Sequence, residues 1–265
     1  MEFYIRIPLP KAPFTFSHTE QTILLGSCFA ENIGKMLEEN KFKTDLNPFG
    51  TLYNPSSIAE AIRMLLRPER FTGDDLFRHE GIYHSFNHHS RFSSPSETEC
   101  LANINGRLFS SADTIRKARR MILTFGTAWV YERQGEAVAN CHRRPAAEFS
   151  KRRLSVEEIV ETFAELIEGP LAGKQIILTI SPVRHTGDTL AGNAVSKATL
   201  RLAAEQLTER FKCSAYFPAF EILTDDLRDY RFYADDLVHP APQSVAYVWE
   251  KFAPAVLTDE ALRLR

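Results

Sequence analysis

Two short blocks near opposite ends of the chain carry the residue types of nucleophilic catalysis. Ser27 follows the apolar run 22–25 and Gly26, and Asp236 stands three residues before His239. A serine nucleophile needs an imidazole within hydrogen-bond reach and a carboxylate that orients the imidazole. An aspartate three residues before a histidine can fold onto the same turn and hold the ring directly. The residue types therefore predict a Ser27–His239–Asp236 triad if the fold brings the two blocks together.

Each block also has a simpler structural interpretation. Serine is a preferred residue at the start of any helix, so Ser27 fits a helix N-cap behind a glycine turn. The pair Asp236 and His239 fits an exposed acidic turn before Pro240, and this spacing arises often by chance. Catalysis is favoured by the combination of both blocks with the alternation of strands and helices between them.

The elements that must position these residues follow a βαβ pattern. Apolar runs at 22–25, 121–125 and 175–180 predict buried strands, with a further strand at 215–217 and helices between them. We therefore expect one α/β domain over residues 1–265, with a mainly parallel sheet covered on both faces. Ser27 then lies on a strand-to-helix turn at the carboxyl end of a strand, where open sheets bind ligands and a helix start favours a developing anion.

The middle of the chain differs in character. Residues 71–120 are expected to form a loop-rich insertion over the active site, with a helix from Ser96 to Arg120 that breaks near 105–106. Its histidines are better suited to line a pocket than to bind metal, because His88 and His89 are adjacent and cannot easily share one face. His142, Arg184 and His185 follow predicted strands and are expected to reach the same pocket. Arg184 fits either a substrate anion or a structural ion pair.

Composition limits the classes of function. The 265 residues are 44% hydrophobic and 25% charged with a net charge of -2, so neither a nucleic-acid surface nor a polybasic membrane patch is expected. No apolar run is long enough to span a membrane, and Met1–Arg6 does not resemble a secretory signal. Four scattered cysteines without a CxxC pair predict neither a disulfide scaffold nor a zinc site, which favours a reducing cytoplasm. The absence of GxGxxG and P-loop motifs disfavours a nucleotide-binding domain.

The string Gly26-Ser27-Cys28-Phe29-Ala30 resembles the signature of the GSCFA family, a branch of the SGNH/GDSL hydrolase superfamily. The resemblance extends over nearly the whole chain, through the segments 47–50 (NPFG), 53–55 (YNP), 125–129 (FGTAW), 140–142 (NCH), 181–185 (SPVRH) and 228–233 (RDYRFY). It implies a three-layer α/β/α sandwich of flavodoxin-like type. It also implies hydrolysis or transfer of an ester acyl group with no metal or cofactor.

The resemblance assigns roles to individual residues. Ser27 would be the nucleophile, His239 the base and Asp236 its partner, with an oxyanion hole formed by the N–H groups of Ser27 and Gly50. The superfamily takes its third donor from the Asn of a GxND block, and GTAW at 126–129 has no Asn. Thr127 or Asn140 would have to replace it, and the loss of one donor costs on the order of 10²–10³ in rate.

Further expectations concern the substrate, the role of Cys28 and the alternative to an enzyme. His84, His142 and Arg184 are predicted to contact it, and an O-acetyl group on a carbohydrate or cell-wall precursor is the substrate guess at superfamily level. Cys28, at the helix start, is either a small packing residue or a thiol nucleophile of lowered pKa. The rival to an enzyme is a catalytically weak module of the same fold that binds a glycan or small ligand.

Overall fold

Strands and helices alternate along the chain, as the periodicity predicts. The computed structural model describes residues 7–9 and 11–264, so the prediction about Met1–Arg6 lies outside the described residues. In chain order the elements are β1 (Gln21–Gly26), α1 (Cys28–Glu39), β2 (Lys43–Leu46), α2 (Pro55–Leu66), β3 (Phe77–His79), β4 (Ile82–His84), α3 (Glu97–Lys117), β5 (Arg120–Phe125), β6 (Trp129–Arg133), β7 (Glu136–Val138), β8 (Ser150–Arg153), α4 (Val156–Glu168), β9 (Gln175–Ile180), α5 (Thr189–Arg210), β10 (Ser214–Phe217), α6 (Ala219–Glu221), α7 (Pro242–Val256) and α8 (Asp259–Arg263).

The central sheet has the strand order β10-β9-β5-β1-β2, and all of its strand pairs are parallel. Numbered by their order along the chain, these strands lie in the sequence 2-1-3-4-5, which is the flavodoxin-like arrangement. The order reverses between β1 and β5, so the crevice at their carboxyl ends is the topological switch point where such folds bind ligands. The expectation of a parallel α/β sheet is confirmed.

Helices cover both faces of the sheet and make three layers. One apolar core lies between the sheet and the layer of α2, α3, α4 and α5, and the second lies between the sheet and the layer of α1, α7 and α8. Alternate residues of β1 serve the two cores: Ile23 and Leu25 face the first, and Leu24 faces the second. A strand buried on both faces must be apolar throughout, which is why residues 22–25 form an uninterrupted apolar run.

Three helices of the first covering layer begin at sequence signals for a helix start. Asn54 caps α2 by accepting a hydrogen bond from Ser57, with Pro55 at the first helical position. Ser96 caps α3, and Ser155 forms a reciprocal capping box with Glu158 at the start of α4. These signals are local, because each depends on residues within one turn of the chain.

The middle of the chain departs from the prediction in two places. Helix α3 runs without a break through Gly106, because that glycine is exposed and its neighbours Ile104 and Leu108 anchor the helix in the core. Helix α3 therefore belongs to a covering layer, and the loop-rich part ends at Ser96. A small antiparallel sheet, β7-β6-β8, follows β5 and is not among the strands expected from the apolar runs. Strands β6 and β8 are short and charged, so their sequences do not resemble buried strands.

Within residues 7–9 and 11–264, no helix combines the length and the apolar character needed to cross a membrane.

Candidate active site

Ser27 lies at the switch point, between the carboxyl end of β1 and the first turn of α1. Its side chain caps α1 by accepting a hydrogen bond from the Phe29 N–H at 3.3 Å, and the residue is completely buried. Gly26, at φ +145°, leaves no room for a side chain, because an added Cβ would lie 2.2 Å from the Thr124 carbonyl oxygen of β5. The N-cap interpretation of Ser27 therefore describes this conformation, and the same turn places the hydroxyl where this fold binds ligands.

Asp236 and His239 form a closed pair on one turn. The imidazole Nδ1 of His239 lies 2.6 Å from Asp236 Oδ2, while Asp236 Oδ1 accepts the N–H groups of Val238 and His239 at 2.9 Å each. These hydrogen bonds, with that from the His239 backbone the largest cause, lower the pKa of Asp236 to about 2. The carboxylate is thus ionised at neutral pH and fixes the orientation of the ring, and about half of each side chain is exposed.

The turn that carries this pair is attached to the segment after β9. The Arg184 N–H donates to the Val238 carbonyl at 3.1 Å, and the Arg184 guanidinium lies over the rings of Tyr230 and Tyr233, 4.6 and 3.9 Å from their centroids. The predicted alternatives for Arg184 were a substrate anion or an ion pair. The structure instead shows a cation stacked on aromatic rings and hydrogen-bonded to the Leu237 carbonyl at 3.5 Å.

His185, next in the chain, lies beside the serine. An added Cβ on Gly126 would meet Tyr53 O at 2.9 Å, His185 Nε2 at 3.3 Å and Ser27 Cβ at 3.4 Å. The His185 Nε2 and the Ser27 Cβ therefore both lie close to the space that a side chain on Gly126 would occupy. Among the described residues, no hydrogen bond joins Ser27 Oγ to His239, and His185 is the histidine placed against Ser27.

Lys197, a residue that the sequence did not single out, lies beneath the site. Its ammonium nitrogen donates to Gly126 O at 2.6 Å and to Ser181 O at 2.7 Å, so it joins the chain just beyond β5 to the chain just beyond β9. Complete burial lowers the pKa of Lys197 to about 7. A lysine in the middle of α5 looks like a solvated residue, and only the tertiary structure shows that it points into the sheet edge.

The predicted oxyanion donors are largely engaged in this conformation. The Ser27 N–H donates to Thr124 O at 3.1 Å, and the Gly50 N–H donates to Asn47 O at 2.8 Å. The Thr127 hydroxyl is 3.0 Å from that of Ser196 and accepts the Trp129 N–H. Asn140 uses its side-chain oxygen to accept the His142 N–H at 2.9 Å, and its amide nitrogen has no described acceptor.

A cavity of about 550 Å³ opens next to this junction. Thr127, Asn140 and His185 line it on the side of the site, and aromatic side chains of Tyr53, Trp129, Tyr131 and Phe149 line the rest. Asp188 also lines it and is paired with Lys151, whose ammonium lies 5.2 Å from the ring centroids of both Trp129 and Tyr131. A cavity of this size with a few convergent polar groups is typical of a small-molecule site.

The profile of the GSCFA family matches residues 21–252, which include Ser27 and the Asp236–His239 pair. The chain belongs to the GSCFA family. Solved structures similar to this GSCFA chain include LAE5, an alpha/beta hydrolase from the metagenome of Lake Arreo, Spain, at 12% identity and a TM-score of 0.49, covering 91% of this chain and 96% of that one. Another is a mutant of Axe2, an acetyl-xylooligosaccharide esterase from Geobacillus, at 11% identity and a TM-score of 0.44, covering 94% and 96%. No curated protein matches the sequence.

Two predicted substrate residues of this GSCFA chain, His84 and His142, are not among the residues that line the cavity. His84 and His142 are buried with ring centroids 4.5 Å apart, and they pack beside Phe77. His142 Nε2 is 2.8 Å from Ser85 O, and His84 Nδ1 is 2.7 Å from Ser93 Oγ. In this conformation both rings pack inside the loop-rich segment. The sequence could not distinguish a pocket wall from an aromatic core, because both use the same residue types.

Cys28 fits the packing interpretation in the GSCFA signature. Burial raises the pKa of its thiol, and the nearby carboxylate of Glu31 raises it further. A thiol of raised pKa is a poor nucleophile at neutral pH. Among the described residues, no three His, Cys, Asp or Glu side chains are grouped so that they could hold a metal ion.

Proposed function

We propose that this protein is a serine-dependent ester hydrolase or O-acyltransferase, with Ser27 as nucleophile, His239 as base and Asp236 as the carboxylate that orients the base. The observation that carries the proposal is the closed Asp236–His239 pair at 2.6 Å, on a turn bonded to the segment after β9. Ser27 lies at the same carboxyl edge of the sheet, two strands away on β1. An imidazole held at Nδ1 by a carboxylate has its Nε2 free to accept a proton.

In the proposed reaction, Ser27 Oγ attacks the acyl carbon while its proton passes to His239. His239 then protonates the leaving alcohol, which leaves an acyl group on Ser27. Water or an acceptor hydroxyl resolves this intermediate, giving hydrolysis or transfer. The reaction requires the Ser27 hydroxyl to leave Phe29 and the half-exposed turn to approach it, since catalytic hydrogen bonds often tighten only with substrate bound.

For the substrate we propose a small O-acyl ester, with an acetylated carbohydrate or cell-wall precursor as the class to test first. The cavity lined by Tyr53, Thr127 and His185 supports this class, because Trp129 and Tyr131 offer apolar ring surfaces while Asn140 and Asp188 offer polar groups for hydroxyls. Such a mixture fits a ligand with both apolar faces and hydroxyl groups. The measurement is acetate release from acetylated oligosaccharides, with the deacetylated sugar added as a competitor.

The deciding experiment compares Ser27→Ala with Cys28→Ala. Turnover of p-nitrophenyl acetate and labelling by a fluorophosphonate are measured on the parent and on both variants. We expect Ser27→Ala to lose both signals and Cys28→Ala to keep both. Full activity in Ser27→Ala would end the serine proposal, and loss of labelling only in Cys28→Ala would transfer the nucleophile to the thiol.

A second candidate is a catalytically weak module that binds a glycan or small ligand in the same cavity. The complete burial of Ser27 and the engaged N–H groups of Ser27 and Gly50 favour it. A folded parent protein that neither turns over the ester nor takes the label, but binds sugars with loss of affinity in Trp129→Ala, would support this candidate over the enzyme.

A further inference from the structure

His185 carries a buried polar atom that has no role in the proposed triad. Its Nε2 is buried and makes no hydrogen bond of normal geometry within the described residues, although the Gly126 backbone lies close to the ring and favours its charged form. The same atom lies at the Gly126 junction, where an added Cβ would meet it at 3.3 Å and Ser27 Cβ at 3.4 Å. Leaving a polar atom buried and unpaired costs free energy, so the position of Nε2 needs an explanation. A functional explanation is that a bound substrate supplies the hydrogen-bond partner of His185 Nε2.

The backbone at His185 is anchored, and its ring packs against Tyr53. The backbone N–H of His185 donates to Asn193 Oδ1 at 3.0 Å, and the rings of Tyr53 and His185 lie edge to face with their centroids 5.8 Å apart. Its neighbour Arg184 is fixed to Val238, so the whole segment after β9 is anchored. A donor that is already positioned pays no reorganisation cost when charge develops in a transition state.

The surroundings of His185 favour the neutral imidazole. Burial lowers its pKa to about 4, the charge of Lys197 lowers it further, and Asp188 opposes them. A general base must accept and hold a proton, so a ring that disfavours the charged form suits that task poorly. A neutral imidazole can still donate one N–H, and a donor of this kind polarises a carbonyl without titrating at neutral pH.

We propose that His185 is a further catalytic residue, whose Nε2–H donates a hydrogen bond to the oxyanion formed when Ser27 attacks the ester. This inference rests on the proposed function. As the Oγ–carbon bond forms, the carbonyl electron pair moves onto oxygen, the Ser27 proton goes to His239 and the proton of His185 stays on Nε2. His185 thus supplies a donor that the GTAW segment lacks, while the Thr127 hydroxyl stays bonded to Ser196.

The test compares His185→Ala with His185→Gln on p-nitrophenyl acetate. A glutamine amide can present an N–H near the position of Nε2 but cannot accept a proton, so it separates a donor from a base. We expect His185→Ala to lower kcat by about 10²- to 10³-fold with little change in KM, and His185→Gln to recover most of that loss. His18→Gln is the matched control, because His18 precedes β1 and stacks on Phe42 at the opposite edge of the sheet.

Two results overturn the inference: parental kcat in both His185 variants, or equal losses in both while their unfolding midpoints match the parent. Unfolding midpoints are measured on every variant, and a variant that unfolds is replaced by His185→Asn, which presents its amide nearer the backbone. The proposed function is judged separately, by Ser27→Ala and His239→Ala. Loss of activity in those two variants with normal activity in His185→Ala leaves the triad standing and removes only the role of His185.

Discussion

At the scale of single residues, one carboxylate shapes the turn and orients the base. Asp236 Oδ1 accepts two backbone N–H groups and Oδ2 bonds the His239 ring, so the side chain that folds the turn also holds the imidazole. Leu237 adopts φ +58° within this turn, a conformation that non-glycine residues rarely take. The hydrogen bonds to Asp236 stabilise that conformation, and the geometry of the pair is thereby set locally.

Replacing Asp236 by Asn tests whether the carboxylate acts on the base. The amide keeps an oxygen for the backbone N–H groups, but it no longer stabilises the imidazolium or fixes the tautomer. We expect kcat on p-nitrophenyl acetate to fall by about 10²- to 10⁴-fold, with the unfolding midpoint little changed. Asp235→Asn, one residue earlier, removes the same charge from the same turn and is expected to keep its activity. Equal activities in the two variants would contradict an orienting role for Asp236.

At the scale of elements, the ends of three strands are fastened together around Gly126. Its N–H donates to Tyr53 O at 2.8 Å, its carbonyl accepts a hydrogen bond from Lys197, and Ser27 Cβ lies 3.4 Å from where a Gly126 Cβ would be. Because Lys197 also bonds Ser181, the ends of β5 and β9 are fixed relative to each other. The relative positions of Ser27 and His185 therefore depend mainly on the packing of the ends of β1, β5 and β9 around Gly126. The local conformation of the turns that carry the two residues matters less.

Gly126→Ala tests this junction. The new Cβ would lie 2.9 Å from the Tyr53 carbonyl oxygen, which is backbone and cannot move aside cheaply. We expect the free energy of unfolding to fall by about 1–3 kcal/mol and ester turnover to fall with it. Gly106→Ala is the opposite case, because nothing lies within 4 Å of its added Cβ on α3. That variant should gain about 0.5–1 kcal/mol in urea unfolding, and a loss there would count against the packing argument.

Lys197→Met tests the clamp between β5 and β9, by which we mean the two hydrogen bonds from the Lys197 ammonium to Gly126 O and Ser181 O. Methionine has a similar length but no donor, so two buried carbonyls lose their partner. We expect a loss of about 3 kcal/mol in the free energy of unfolding, measured by urea titration. Lys117→Met is the surface control, since Lys117 is mostly exposed and pairs only with Asp113 one turn away. It should change stability by less than about 0.5 kcal/mol, and a similar loss in both variants would reject the clamp.

The sequence predicted the parts of this arrangement that depend on neighbours in the chain. Ser27 at a strand-to-helix turn and Asp236 bonded to His239 follow from residues within one turn of each other. The engagement of Thr127 with Ser196, 69 residues away, left no such local signal. The burial of Lys197 also left no signal in the sequence, because an isolated lysine in a helix resembles a solvent-exposed residue. The sequence likewise did not indicate that the His185 ring lies close to Ser27. The unbroken course of α3 was missed because tertiary packing outweighs the low helix propensity of Gly106.

At the scale of the whole molecule, the loop-rich segment after α2 packs buried histidines among phenylalanine rings and joins the first apolar core. His88 is buried, stacks on Phe49 with ring centroids 4.6 Å apart, and lies 3.0 Å from Ser85 Oγ. His142 reaches into the same segment from beyond β7 and bonds Ser85 O. The contacts between this segment and the first apolar core therefore include buried imidazoles, which stabilise the fold only in their neutral form.

This cluster makes the folded state sensitive to mild acid. Burial lowers the pKa of His88 to about 3 and that of His142 to about 4, so both stay neutral in the folded protein while the unfolded chain takes up protons near pH 6.5. Their contribution to stability is therefore complete above about pH 6.5 and is lost as the pH falls towards 4. Each such histidine contributes up to about 1.4 kcal/mol per pH unit in this window.

Urea unfolding of the parent and of His142→Phe at pH 7.5, 6.5 and 5.5 measures the effect. Phenylalanine fits the aromatic surroundings but leaves Ser85 O without its partner, so the variant should be less stable at pH 7.5. Because it lacks one titrating group, it should lose about 1 kcal/mol less than the parent between pH 6.5 and 5.5. Parallel pH dependences for the parent and His142→Phe would show that His142 is already protonated in the folded protein, or that other groups govern its acid sensitivity.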